Sequence, residues 1–147
     1  MKKVILALLL FAPPLAAQQG FEINITENCM ADAISYEERQ YCVGAAARQC
    51  MEYLGDTAGL ARCAGAEAMW WEARVNVNVE RISQDESLTS VQVEALTRMQ
   101  AAWQDYRDAS CAFEQAFAEE QTASEAECLL WRTGDQAVLL EDYLPRN

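Results

Sequence analysis

The chain has 147 residues, 52% of them hydrophobic, with 23 Asp plus Glu against 11 Lys plus Arg, six cysteines and no histidine. A chain of this length holds one domain, and its net charge of −12 disfavours nucleic acid and anionic membrane surfaces as partners while favouring basic proteins. Without histidine or a Cys-x-x-Cys pair, zinc and thiol-redox chemistry are disfavoured, so neither a metal nor a cofactor is expected.

The chain opens with Lys2 and Lys3, an apolar run from Val4 to Phe11, the helix-breaking Pro13-Pro14, and Leu15 and Ala17 at the positions of a cleavage site. This is the layout of a secretory signal peptide over 1–17, cut after Ala17, and its apolar run is too short to span a bilayer. No cysteine lies near the cut, which argues against a lipid anchor. Cleavage removes both lysines, so nine Arg face 23 Asp plus Glu and the mature charge becomes −14. The expectation is a periplasmic or secreted protein with no membrane insertion after signal cleavage. Residues 18–28 show no helical period and read as a loose leader, leaving 29–147 as the domain; Asn24-Ile-Thr26 is a formal glycosylation acceptor of little weight.

Four helices follow in chain order. Ser35 and Glu38 form a capping box ahead of Val43, Ala46, Ala47, Cys50, Tyr53 and Leu54, and Gly55 stops the run. Thr57 caps a long second helix striped by Leu60, Ala64, Ala68, Trp71, Val75, Val79 and Ile82. The third starts between Ser87 and Ser90, and its apolar face is Leu96, Met99, Trp103, Tyr106, Ser110, Phe113 and Phe117. Thr122 with Glu125 opens a fourth, carrying Leu129, Leu130, Ala137, Leu140 and Leu144 before Pro145, with Gly134 weakening its middle. Short connections between amphipathic helices predict an all-α, small antiparallel bundle of about four helices.

Six cysteines in an exported chain predict three disulfides that staple this bundle. Cys29-Met with Cys42-Val-Gly-Ala is echoed 21 residues later by Cys50-Met with Cys63-Ala-Gly-Ala. Cys42 and Cys50 cannot pair on one unbroken helix, because eight residues rise about 12 Å and a disulfide needs Cα atoms within about 7 Å. The echo suggests Cys29–Cys42 and Cys50–Cys63, leaving Cys111–Cys128; the competing arrangement pairs Cys29 with Cys50 and Cys42 with Cys63.

The stretch 99–111 concentrates the chemically interesting residues. Met99, Trp103 and Tyr106 lie on the expected apolar stripe and read as core, while Gln100, Arg107 and Cys111 form the row beside it. Arg107 at a core margin is expected to lay its stem over apolar surface and pair with a carboxylate, and Asp108 projects to the wetter side. No nucleophile has a base beside it and no carboxylate pair stands out, so the chain does not read as an enzyme.

Cys63-Ala-Gly-Ala-Glu67, Trp71-Glu-Ala-Arg-Val75-Asn76, the spacing Gln100, Trp103, Tyr106, Arg107, Asp108, Cys111, and then Cys128 with Thr133 together resemble the LprI-like lysozyme-inhibitor family. The resemblance covers about 29–144. It implies a secreted or periplasmic, mostly helical, disulfide-bonded domain without catalytic activity, some of whose members inhibit lysozyme. Val75 stands where that family usually has leucine, Val79 where an aromatic is common, and Gln136 where an arginine often follows the threonine.

The leading functional expectation is an acidic envelope protein that binds and inhibits lysozyme or another cationic muramidase. Since a lysozyme cleft holds two catalytic carboxylates, Arg74, Arg81, Arg107 and Arg132 are the candidate contacts. The alternative is an accessory or structural envelope module that binds a different protein, with Trp70 as its marker, because Trp71 occupies the apolar stripe and its neighbour must point elsewhere.

Overall fold

A computed structural model describes residues 21–145; the expected signal peptide lies outside the described residues. Six helices are present among them: α1 (Asn24–Asp32), α2 (Tyr36–Cys42), α3 (Ala45–Leu54), α4 (Thr57–Ser83), α5 (Ser90–Phe117) and α6 (Gln121–Glu141). α6 is the centre of the bundle, packing most extensively on α4 and next on α5, while α3 lies along α4 and the short α1 and α2 close one side. α5 and α6 are antiparallel, since Cys111 meets Cys128 and Gln100 meets Gln136.

The local signals held at some boundaries and failed at others. Ser35 Oγ accepts from the Glu38 amide at 3.1 Å while Glu38 accepts from the amides of Ser35 and Ile34, so the expected capping box opens α2. A second box, Thr89 with Gln92, opens α5 within the expected window. α4 is capped by Asp56, whose carboxylate accepts from the Gly59 amide at 2.5 Å, and not by Thr57. The Thr122–Glu125 box does not form: α6 starts at Gln121, which places Thr122 inside the first turn, and it ends at Glu141 rather than Leu144.

Two larger expectations are corrected. Part of the supposed loose leader is helical: α1 starts at Asn24, and it is held by Thr26 and Met30, both buried, and by the Cys29 disulfide. The single helix expected from Ser35 to Leu54 is two helices, broken at Val43 (ψ 127°) and Gly44 (φ +78°). Gly44 occupies the left-handed region that glycine enters at least cost, and a Cβ there would also lie 2.9 Å from the Trp131 ring.

The core is built from Val43, Trp71, Val75, Leu130, Ala137, Val138 and Leu140 together with the half-cystines 42, 50 and 63. Each disulfide joins neighbouring helices: Cys29–Cys42 ties α1 to α2, Cys50–Cys63 ties α3 to α4, and Cys111–Cys128 ties α5 to α6. This is the pairing that the echo suggested and not the crossed alternative. Each loop closure stabilises by about 3 kcal/mol in the chain-entropy model.

Gly134 does more than weaken α6. It is buried where Val43 crosses the helix, and a Cβ added there would stand 2.3 Å from Val43 Cγ1. Gly134→Ala is therefore expected to destabilise by about 1–3 kcal/mol, the usual cost of overpacking, despite alanine's better helix propensity. Denaturant unfolding of the oxidised protein measures this, and a stabilised variant would show that Val43 moves freely.

Candidate functional site

α5 carries the charged and aromatic motif, and its phase differs from the expected one. Gln100 and Cys111 are buried and Leu96, Trp103 and Arg107 half-buried toward the bundle, whereas Met99, Tyr106, Phe113 and Phe117 are exposed. Met99 and Tyr106 are thus surface residues and not core. The inward polar side chains are held by cross-helix bonds, although the buried Gln100 Nε2 has no partner among the described residues. Gln136 Nε2 donates to Gln100 Oε1 at 3.0 Å, joining α6 to α5.

Arg107 is fixed on three sides. Its guanidinium pairs with Glu72 on α4, with Asp108 on its own helix at 2.9 Å, and lies 4.9 Å from the centroid of the Trp103 ring. Burial works against its charge, but hydrogen bonds and attraction from Asp108 and Glu72 outweigh that and hold its pKa above the ordinary arginine value. Arg107 therefore fastens α5 to α4 as a core-margin residue. It also edges a cleft of about 340 Å³ lined by Ala68, Met69, Glu72, Ala126 and Leu129.

The remaining candidates divide between two places. Trp70, Arg74 and Arg81 share a shallow groove of about 290 Å³ with Glu27, Val77 and Leu144. Trp70 is half-buried and meets the fully buried Trp71 edge to face, with ring centroids 4.6 Å apart. Arg74 lies 5.3 Å from the Trp70 ring centroid and donates to Glu141 at 2.6 Å, so its charge is already engaged. Arg81 is exposed and makes no ion pair among the described residues. Arg132 stands apart on α6, paired with Glu114 at 3.1 Å and 5.4 Å from the Tyr106 ring. Asn76 is exposed; the inward asparagine is Asn78, whose amide donates to the Ala137 carbonyl.

Glu67 is the residue that the reading by stripes passed over. It is fully buried, and its carboxylate accepts from Thr26 Oγ1 (2.8 Å), Trp71 Nε1 (3.1 Å) and the amides of Gly44 (2.9 Å) and Ala47 (2.7 Å). Thr26 Oγ1 in turn accepts from the Ala46 amide at 3.1 Å. Gly44 has no side chain with which to cap α3, so α1 and α4 supply the cap between them. The available signal was a carboxylate placed between Ala64 and Trp71 on an apolar stripe.

Among the described residues no group of three or more His, Cys, Asp or Glu is arranged to hold a metal ion, and no helix is long and apolar enough to cross a membrane. Fold and surface together define a disulfide-pinned α-helical domain whose inward motif residues Trp71, Gln100, Trp103 and Arg107 are tied up in packing and whose open features are shallow grooves. The chain belongs to the lysozyme inhibitor LprI family, whose model matches residues 29–140. It is also 30% identical over 148 aligned positions, covering 87% of this chain and 88% of the relative, to an uncharacterized 17.7 kDa protein in the puhA 5′ region of Rhodobacter capsulatus. No solved structure matches it.

Proposed function

We propose that this protein is an exported, non-enzymatic inhibitor of lysozyme or a similar cationic muramidase in the cell envelope. The family match over 29–140 carries the reading. The acidic composition supports it, since a domain of charge −14 after loss of residues 1–17 is drawn toward a basic enzyme. Three disulfides support an oxidising compartment.

The groove of Trp70, Arg74 and Arg81 is the surface we assign to the contact. A cleft with two catalytic carboxylates accepts a cation best if that cation is not already neutralised, and Arg81 meets this condition where Arg74, Arg107 and Arg132 are paired. The aromatic face of Trp70 beside it suits an interface anchor.

Titrating lysozyme activity with the mature domain tests this directly. Inhibition is expected at low salt and is expected to weaken as salt rises, mainly through slower association. Arg81→Ala is expected to weaken inhibition roughly tenfold, in the range of an interface arginine, with an unchanged circular dichroism spectrum. No inhibition at large molar excess in low salt overturns the reading and favours an accessory module with another partner.

A further inference from the structure

α5 carries a second apolar row that is exposed along its length and touches the bundle only at its edge, where Met99 accepts from Gln136, Ala95 and Met99 border a groove against Leu140, and Tyr106 lies under Arg132. Ala95, Ala102, Ala109 and Ala116 recur every seven residues, interleaved with Met99, Tyr106 and Phe113 at the same period, and all seven are exposed. Spacings alternating between three and four over more than three heptads make the seam of a two-stranded coiled coil and not the broader stripe of a bundle helix. The seam runs about 32 Å at 1.5 Å per residue and contains no charged residue.

We infer that this seam pairs with the same seam of a second copy, antiparallel, to form a homodimer. The alternation of size selects partner and direction. In a parallel pair Met99, Tyr106 and Phe113 would each meet their own copy and every alanine another alanine, giving crowded layers between empty ones. In an antiparallel pair centred between Arg107 and Asp108, Met99 faces Ala116 of the second copy, Ala102 faces Phe113 and Tyr106 faces Ala109. Every large side chain then sits on a small one, six layers in all. Phe117, 78% exposed and tilted 49° against Phe113 with centroids 4.8 Å apart, widens the covered area at each end.

Charge fits the same register. Arg98, exposed next to Met99, comes beside the loop of the second copy that carries Glu119 and Glu120, both exposed. The twofold axis makes this contact twice, as an isologous interface requires. Its present partner, Glu94, is itself exposed and one turn away on the same helix, so Arg98 can engage both. Nothing in the seam opposes association except the net charge of the two copies. Added salt screens that repulsion, so the dimer tightens with salt, opposite to the expected behaviour of lysozyme binding.

Sedimentation analysis of the mature domain up to millimolar chain concentration, at low and high salt, measures this. A dimer mass is expected, favoured by salt. Ala109→Glu and Ala102→Glu each put two unpaired carboxylates into the closed seam and are expected to weaken the dimer roughly tenfold or more, while their exposed positions leave the circular dichroism spectrum unchanged. Arg98→Glu is expected to weaken it by a smaller factor, and Glu119→Arg with Glu120→Arg in the same chain to restore it, which parallel pairing would not do. A monomer at millimolar concentration, or a dimer indifferent to Ala109→Glu and Ala102→Glu, overturns the proposal and leaves the seam to another occupant. Absence of rescue overturns the antiparallel register. Lysozyme inhibition is read on the same variants, and its loss or retention bears on the inhibitor reading alone.

Discussion

Replacing Glu67 by alanine is expected to destabilise the domain by about 3–5 kcal/mol, because it removes one partner of a buried charged network and leaves the others without water or protein to bond. Four donors lose their acceptor at once: the Thr26 hydroxyl, the Trp71 indole and the amides of Gly44 and Ala47. Each stranded buried donor costs on the order of 1–3 kcal/mol if nothing relaxes, so the smaller total already assumes that α1 and α3 shift to recover some bonds. Glu67→Gln keeps one carbonyl oxygen but turns an NH₂ toward a donor, and is expected to recover only part of the loss. Urea unfolding of the oxidised protein gives the magnitude, and amide exchange gives the location, with faster exchange in the first turn of α3. A Glu67→Ala variant of undiminished stability would mean that the network is incidental to the fold.

The network also explains where the internal echo misleads. Cys42-Val-Gly-Ala and Cys63-Ala-Gly-Ala are nearly the same tetrapeptide, yet Gly44 is left-handed between two helices and Gly65 sits inside α4. The difference comes from outside the tetrapeptide, since the carboxylate of Glu67 draws the Gly44 and Ala47 amides to it and starts a new helix there. The spacing of the cysteines remained informative, because a disulfide needs only that neighbouring helices meet, whereas the helix break depended on a contact 23 residues away. α1 was illegible for a related reason: a nine-residue helix has little stripe to read, and this one is held by Cys29 and by Thr26 reaching Glu67.

Hydrophobic period served α4 well and α5 badly. α4 buries Cys63, Ala64, Ala68, Trp71, Val75 and Ile82 on one face, so the apolar stripe points to the buried side, and only Glu67 and Asn78 add polar groups to it. On α5 the inward row includes Gln100 and Arg107, made acceptable by Gln136 and by Glu72 with Asp108. The outward row is apolar, so a count of apolar residues turns the helix toward solvent. Arg107 was still placed at the core margin by its row beside the apolar stripe, but its partner Glu72 on α4 was not legible, nor was its bond to the neighbouring Asp108. The exposed Arg81 gave no such signal, since lack of an ion pair is visible only when the other helices are in place.

Trp71→Ala is expected to cost about 3–5 kcal/mol, comparable to the Glu67 variant though the mechanism differs. The indole is fully buried at the centre of the core and packs edge to face on Trp70, so truncation leaves a cavity that helices pinned by three disulfides can only partly close. Against a net stability of about 5–15 kcal/mol for a small domain, either loss brings the chain near its unfolding midpoint. The two losses share one hydrogen bond, from Trp71 Nε1 to Glu67, and so should not add. A cycle of Trp71→Phe with Glu67→Gln separates the contributions, since phenylalanine keeps most of the ring and removes the donor. A coupling of about 0.5–3 kcal/mol is expected if that bond is made in solution. A coupling near zero, with each single variant still destabilised, would place the worth of Trp71 in its packing and that of Glu67 in its bonds from Thr26 and from the Gly44 and Ala47 amides.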